Sequence, residues 1–319
     1  MVGYERGMTY STIDVPVAGG TLRVGRWSPD AAETSSAAAS TEHAASAPAP
    51  VVAIHGITAH HMSWPHVVDE LADTEILAPD LRGRGRSRDL PPDVGLAAHA
   101  DDVAAVIREA ARDRPVVVVG HSMGGFVALV FAHRHPELVA GLVLVDGGFP
   151  FAEAEKETTL AGLDLIRARL EARFASPEEY VELFRAHPAF ANDWSDVAAG
   201  YARYDVTGTP PECHASAVVD AVVADQHDVM GSTEHAEALR ALADGEIDVP
   251  VVFLRAPRGF VDDPPGLYAP ETVEGLRARF PTVVFEDVEG VNHYTIVLGA
   301  AGAEAVARAV RAVQARAAS

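Results

Sequence analysis

Apolar residues in this chain fall either into short, continuous, β-branched runs or into longer stretches where they recur every three or four positions. The short runs are Pro50 to Ile54, Val116 to Val119, Ala140 to Val145 and Val249 to Leu254. Each is too brief for a helix and apolar throughout, the pattern of a strand covered on both faces. Glu75 to Ala78 and Thr282 to Val288 read as further strands. Between the strands, Leu96 to Arg112 sets Val103, Val106, Ile107 and Ala110 on one side of a helix, and Met62 to Ala72, Pro270 to Arg279 and Ala301 to Ala317 read as helices too. Such alternation predicts an α/β chain whose mostly parallel, doubly wound sheet carries helices on both faces.

Three stretches depart from this rhythm. Met8 to Val17 and Gly20 to Trp27 alternate around Ala18-Gly19-Gly20, which predicts an opening antiparallel hairpin. Asp30 to Pro50 is Ala, Ser, Thr and Pro with few large apolar side chains. It reads as a flexible excursion, because it cannot bury enough surface to offset the entropy of ordering it. From Phe149 to about Ser232 the segments are helix-like, acidic and dotted with aromatics, with no convincing strand. Residues 1–148 and 233–319 are therefore assigned to one core and 149–232 to an inserted helical cap.

The densest signal lies where Val116-Val117-Val118-Val119 runs into Gly120-His121-Ser122-Met123-Gly124-Gly125 and then into the apolar helix Phe126 to Ala132. A buried strand thus turns sharply into a helix with Ser122 at the bend, the arrangement of a nucleophile elbow. Small residues at 120 and 124 let strand and helix approach closely while the hydroxyl projects clear of the backbone. The helix also aims free N–H groups at any oxyanion formed beside Ser122.

Composition narrows the chemistry. With 319 residues, 48 % of them apolar, the chain can build a large core. Its net charge of −21 repels nucleic acid, anionic lipid and highly anionic substrates, and suits a neutral hydrophobic small molecule, although it also serves solubility. The single cysteine, Cys213, excludes a disulfide framework and reads as an ordinary buried thiol. No basic segment followed by an apolar run lies in the first thirty residues, and nowhere do eighteen apolar residues run uninterrupted. A cytoplasmic protein with no membrane partner is expected, and a homo-oligomer is compatible with this reading. His60, His61 and His66 match no metal-ligand spacing, so no metal is expected. The loop Asp80-Leu81-Arg82-Gly83-Arg84-Gly85-Arg86-Ser87 lacks the Gly-Lys-Ser/Thr ending of a phosphate cradle; it reads as a structural turn, and no cofactor is expected.

Four motifs in order carry a resemblance: His55-Gly56 after one strand, Asp80-x-Arg82-Gly83-x-Gly85-x-Ser87 after the next, the elbow at Ser122, and Asn292-His293 after the last strand. The chain resembles α/β-hydrolase-fold enzymes with a helical cap over nearly all of its length except the Asp30 to Pro50 excursion. The resemblance implies a serine hydrolase of the esterase or lactonase kind, with Ser122 as nucleophile, His293 as base and the backbone N–H groups of Ile57 and Met123 as oxyanion hole. His121 is expected to shape the turn. The acid is less regular: the position where most relatives carry it, after the strand ending at Leu254, is Gly259 here. Asp146, at the tip of the strand after the elbow helix, is assigned on a resemblance to haloalkane dehalogenases and zearalenone lactonases, with Asp262 and Asp263 as alternatives. Serine at the elbow argues against dehalogenase and epoxide hydrolase chemistry, which need a carboxylate nucleophile. A carbon–carbon hydrolase and a ligand-binding protein on the same fold remain alternatives. The aromatics Phe174, Tyr180, Phe184, Phe190, Trp194, Tyr201 and Tyr204 are candidates for either cap packing or the substrate wall.

Overall fold

A computed structural model of the protein describes residues 7–30, 48–91 and 95–318. The chain opens with a hairpin, β1 (Met8–Val17) and β2 (Gly20–Pro29), paired antiparallel from Val17 opposite Gly20 to Met8 opposite Pro29. Most of the Asp30 to Pro50 excursion lies outside the described residues. Next come β3 (Val51–Ile54), helix α1 (Pro65–Glu70), β4 (Ile76–Pro79), α2 (Gly95–Val106), β5 (Val116–His121), α3 (Met123–Arg134) and β6 (Val139–Val145). After a helical stretch the sheet resumes with β9 (Val251–Arg255), α9 (Pro270–Arg279) and β10 (Val284–Asp287), and the chain closes on the short α10 (Thr295–Leu298) and on α11 (Ala300–Ala317). One eight-stranded sheet results, in the order β1-β2-β4-β3-β5-β6-β9-β10. Pairing is antiparallel from β1 to β4 and parallel from β4 to β10.

The all-apolar runs make sense in three dimensions because alternate residues of a strand face opposite sides of the sheet. Val117 and Val119 join one core layer with Val67 and Val68 of α1 and Val306, Val310 and Val313 of α11. Val116 and Val118 join the other, with Val103 and Val106 of α2 and Phe126 and Val130 of α3. Both faces are therefore covered, and a polar side chain from Val116 to Val119 would be buried at a cost; the one polar residue of β5, His121, lies at its end and is hydrogen-bonded to His293 O.

Between β6 and β9 lie α4 (Glu153–Glu171), α5 (Pro177–Arg185), α6 (Asp196–Tyr204), α7 (Val219–Gly231) and α8 (Thr233–Ala243). Contrary to the expectation of no strand here, β7 (Val206–Thr207) pairs antiparallel with β8 (His214–Ala215). Two residues per strand leave no periodicity for the sequence to display. Leu239 and Leu242 of α8 pack in the same layer as α2 and α3. Two other expectations shift: the helix expected over Met62 to Ala72 splits into a 3₁₀ turn, His61–Ser63, and α1, while that from Leu96 ends in a π-helical turn, Ile107–Ala111. Pro65, which lacks an N–H, sits at the first position of α1, where none is needed. Among the described residues no helix is long and apolar enough to cross a membrane.

Candidate active site

Ser122 stands between β5 and α3 with φ 54° and ψ −122°, a conformation that costs a non-glycine residue about 1–3 kcal/mol and persists only when its surroundings impose it. Those surroundings are backbone. A Cβ on Gly120 would lie 2.1 Å from the Gly124 carbonyl oxygen, and one on Gly124 would lie 2.1 Å from that of Ile54. The Ser122 N–H donates to Val145 O at 2.9 Å, so the β5–β6 ladder runs right up to the bend. Met123 is the first residue of α3, and its N–H is one of those a helix leaves without an internal partner.

Asp146 follows β6 immediately, fully buried, with φ 47° and its N–H on Leu254 O at 2.7 Å. Its two carboxylate oxygens are separately engaged. Oδ1 accepts from the Ala256 N–H at 3.1 Å, and Oδ2 accepts from Nδ1 of His293 at 2.7 Å. A carboxylate only accepts, so Nδ1 carries the proton, and Nε2 is the nitrogen left to take one. His293 is anchored in turn: its N–H donates to Arg258 O at 3.0 Å, and its carbonyl accepts from Nε2 of His121 at 2.8 Å. Burial, then the neighbouring His293, hold His121 well below its ordinary pKa, so it stays neutral and acts as a brace.

Of the alternative acids, Asp262 has its carboxylate engaged elsewhere, and the bond shown for Asp263 is to its main chain. Asp262 Oδ1 accepts from Nδ2 of Asn292 at 2.8 Å and pairs with Arg258 at 3.0 Å, while the Asp263 carbonyl accepts from the Gly259 N–H at 2.7 Å. Asn292 itself caps α10, its Oδ1 accepting the N–H groups of Tyr294 and Thr295 at 3.0 Å each. That short helix, absent from the sequence reading, is what fixes the loop carrying His293.

The segment His55-Gly56-Ile57-Thr58 passes over the elbow; a Cβ on Gly56 would sit 3.6 Å from Ser122 Oγ. Two arginines hold it. Arg84, fully buried, donates from Nε to Ile57 O at 2.8 Å and pairs with Asp225 of α7 at 2.5 Å, and Asp225 also meets His99 at 2.9 Å. Arg169 of α4 reaches Thr58 Oγ1 at 3.2 Å while pairing with Asp205 at 2.9 Å. His55 accepts the Leu81 N–H at Nε2 (2.9 Å) and faces Gly56 O with Nδ1 (2.7 Å); burial pushes its pKa down to about 3. The arginine and glycine loop is consumed by such internal contacts. Asp80 accepts from His61, the Arg86 N–H and the Tyr204 hydroxyl, and Arg82 is bidentate on Asp102.

Ser122, His121, His293, Gly56, Ile57 and Met123 line one cavity whose opposite wall is Phe151, Thr159, Ile166, Tyr201 and Met230 from the helical segment. With its mouth it holds about 700 Å³ of empty space, in the range of small-molecule sites. Tyr201 is the aromatic of the sequence set that reaches this wall; Phe174, Tyr180, Phe184, Phe190 and Trp194 pack against one another, Phe184 and Phe190 also lining a neighbouring cavity, and Tyr204 serves Asp80. Phe260 and Tyr294, which flank the His293 ring at 4.7 and 5.9 Å, were not singled out, since a lone aromatic in a loop has no periodicity to betray its direction. Cys213 is buried, far in role from the site, with backbone bonds to Phe174. Among the described residues no group of three His, Cys, Asp or Glu is placed to hold a metal ion.

Comparisons with known proteins agree with this architecture. A family profile described as alpha/beta hydrolase fold matches residues 49–187. The chain is 38 % identical over 155 residues to Lipase LipV of Mycobacterium tuberculosis, covering 48 % of this chain and 54 % of the lipase. It is 35 % identical over 121 residues to 2-(acetamidomethylene)succinate hydrolase of Mesorhizobium japonicum, covering 37 % of this chain and 40 % of that enzyme. The chain thus spans about half or less of these relatives' lengths. Among solved structures it superposes on E-2-(acetamidomethylene)succinate hydrolase with a TM-score of 0.71 at 20 % identity, covering 96 % and 99 % of the two chains. For a thermophilic esterase from Thermogutta terrifontis the TM-score is 0.60 at 22 % identity, covering 98 % and 100 %. With its strand order, its elbow and these likenesses, the chain has the α/β-hydrolase fold.

Proposed function

We propose that the protein is a serine hydrolase that cleaves a carboxylic ester or lactone of a neutral, hydrophobic small molecule through an acyl-enzyme. The observation that carries the reading is the 2.7 Å bond from His293 to Asp146 at the cavity that Ser122 also lines. Ser122 Oγ attacks the substrate carbonyl and gives its proton to Nε2 of His293, while Asp146 holds the imidazole in that tautomer and stabilises the imidazolium. Negative charge moves to the carbonyl oxygen, where the N–H groups of Ile57 and Met123 receive it; one such donor is commonly worth about two to three powers of ten in rate. Collapse breaks the C–O bond, and the departing alkoxide takes the proton from His293. Water, deprotonated by the same imidazole, then releases the acid and restores Ser122.

An ester fits better than an anionic substrate. The relative named for 2-(acetamidomethylene)succinate acts on a succinate, whereas this chain carries 46 acidic against 25 basic residues and an apolar cavity wall of Phe126, Phe151, Ile166 and Leu267. Two measurements test the reading: labelling by a fluorophosphonate, and turnover of p-nitrophenyl esters beside a ring-cleavage diketone. Labelling at Ser122 with ester turnover is expected. Folded protein with no adduct on Ser122, or turnover of the diketone alone, would overturn it.

A further inference from the structure

Beside the cavity over Ser122 lies a second, walled by α4, α5 and the loop after β9, which with its mouth holds about 810 Å³ of empty space. We propose that this second cavity receives the alcohol side of the scissile ester and that this alcohol is a long, uncharged, apolar chain; the assignment rests on the serine-hydrolase reading above.

The two cavities meet at Ile166, Phe260 and Tyr294, which line both. Phe260 and Tyr294 are also the aromatics that flank the His293 ring. This position decides which half of an ester enters. During cleavage the acyl carbon stays on Ser122 Oγ, while the leaving oxygen collects its proton from His293, so the alcohol departs on the imidazole side. The second cavity, whose boundary with the first includes the imidazole's aromatic neighbours Phe260 and Tyr294, lies on that side. The acyl half keeps the walls that the second cavity does not share, Phe126, Phe151 and Leu267.

The lining sets the chemical class. Leu183, Phe184, Phe190 and Val261 are apolar, and Leu183 and Val261 remain 42 % and 43 % exposed, a greasy rim that a bound chain would cover. The Arg169 guanidinium on the wall is matched by the fully buried Asp205 at 2.9 Å. Burial, then Arg169, hold His187 below its ordinary pKa, so it is neutral near pH 7. Among the described residues of this wall no unpaired charge is left for an anion to meet, and a neutral alkyl chain fits.

Two substrate series separate the halves of the ester: alkyl acetates from ethyl to decyl, and ethyl alkanoates from acetate to decanoate. They are compared in the native protein, in Leu183→Trp, which fills the cavity from its exposed rim, and in Leu160→Trp, an exposed α4 position that lines neither cavity. For Leu183→Trp the decyl-to-ethyl ratio of kcat/KM among acetates is expected to fall about tenfold or more, with the decanoate-to-acetate ratio held within about twofold. Leu160→Trp moves neither ratio. If Leu183→Trp depresses the acyl series instead, or neither series, the assignment is overturned. Calorimetry of decan-1-ol with Ser122→Ala protein reads the cavity without catalysis: binding that Leu183→Trp weakens upholds it as the site of an apolar chain, no binding of decan-1-ol overturns it, and such binding with no ester cleaved overturns the hydrolase reading and the alcohol-side role with it.

Discussion

His293 donates from Nδ1 to Oδ2 of Asp146 at 2.7 Å across 147 positions of chain, and the carboxylate is fully buried at the tip of β6. An amide in its place keeps the shape but no longer demands a proton on Nδ1, so the tautomer that leaves Nε2 basic is lost. For Asp146→Asn, kcat is expected to drop by about four powers of ten with much less change in KM. Asp262→Asn, whose carboxylate braces Asn292 and Arg258, is expected to stay within about tenfold of the native rate. Steady-state kinetics on one ester compares them, and an active Asp146→Asn would remove the aspartate from the assigned triad.

Arg84 links the Ile57 carbonyl to Asp225, and both members of that ion pair are fully buried. Removing the cation leaves Asp225 without its guanidinium in a site closed to water, a loss of about 3–5 kcal/mol in comparable buried pairs. Arg84→Met is expected to lower the unfolding free energy from denaturant titration by that amount and to reduce kcat, since the carbonyl loses its tether. In the double variant Arg84→Met, Asp225→Leu no charge is stranded, so most of the stability is expected to return. A single variant as stable as the native protein would show that the pair does not clamp the loop.

His60 is fully buried, has no hydrogen-bond partner for either ring nitrogen among the described residues and stacks on Tyr201 at 4.4 Å. Burial pushes its pKa from 6.5 down to about 4, against the pull of Asp205 and Asp80. The unfolded chain therefore binds this proton at higher pH than the native state does. The contribution of His60 to stability is complete above about pH 6.5, falls as pH drops toward 4 and levels off below, a loss of order 3 kcal/mol from this residue. His235, also pushed down to about 4 by burial, adds in the same direction. His60→Phe keeps the stack and cannot be protonated; urea titrations between pH 7 and 4 are expected to give it a shallower decline, and an equal slope would exclude His60 as a contributor.

A Cβ on Gly147 would lie 2.1 Å from the Ser122 carbonyl oxygen, a backbone atom that cannot swing away. Gly147→Ala is therefore expected to belong to the rare class of substitutions costing more than about 4 kcal/mol, or to fail to fold. Gly200→Ala, in α6 with open space around it, is expected to stabilise by roughly 0.5–1 kcal/mol from helix propensity. Thermal melts of the pair check both signs.

Much of the architecture was legible in order along the chain because strands buried on both faces are apolar along their length, as β3 and β6 are throughout and β5 and β9 are up to their last residues, His121 and Arg255. The elbow was legible because its steric demand falls on residues adjacent in sequence, Gly120 and Gly124. The β7–β8 pair, the π-helical end of the helix that begins with α2, and α10 were not, since elements this short show no period.

What the sequence alone determined is the set of local constraints: the strand-to-helix bend at Ser122, the order of Ser122, the candidate acids and His293 along the chain, and a net charge of −21. What only the tertiary structure decided is pairing. Asp146, Asp262 and Asp263 are equally acidic on paper, and only the position of β6 beside β5 and β9 sets Asp146 against His293 while Asp262 turns to Asn292. The helical segment likewise declares its aromatics in sequence but not their direction. Tyr201 reaches the cavity and Tyr204 turns to Asp80, three residues apart on one helix, because each answers to a neighbour folded in from elsewhere in the chain.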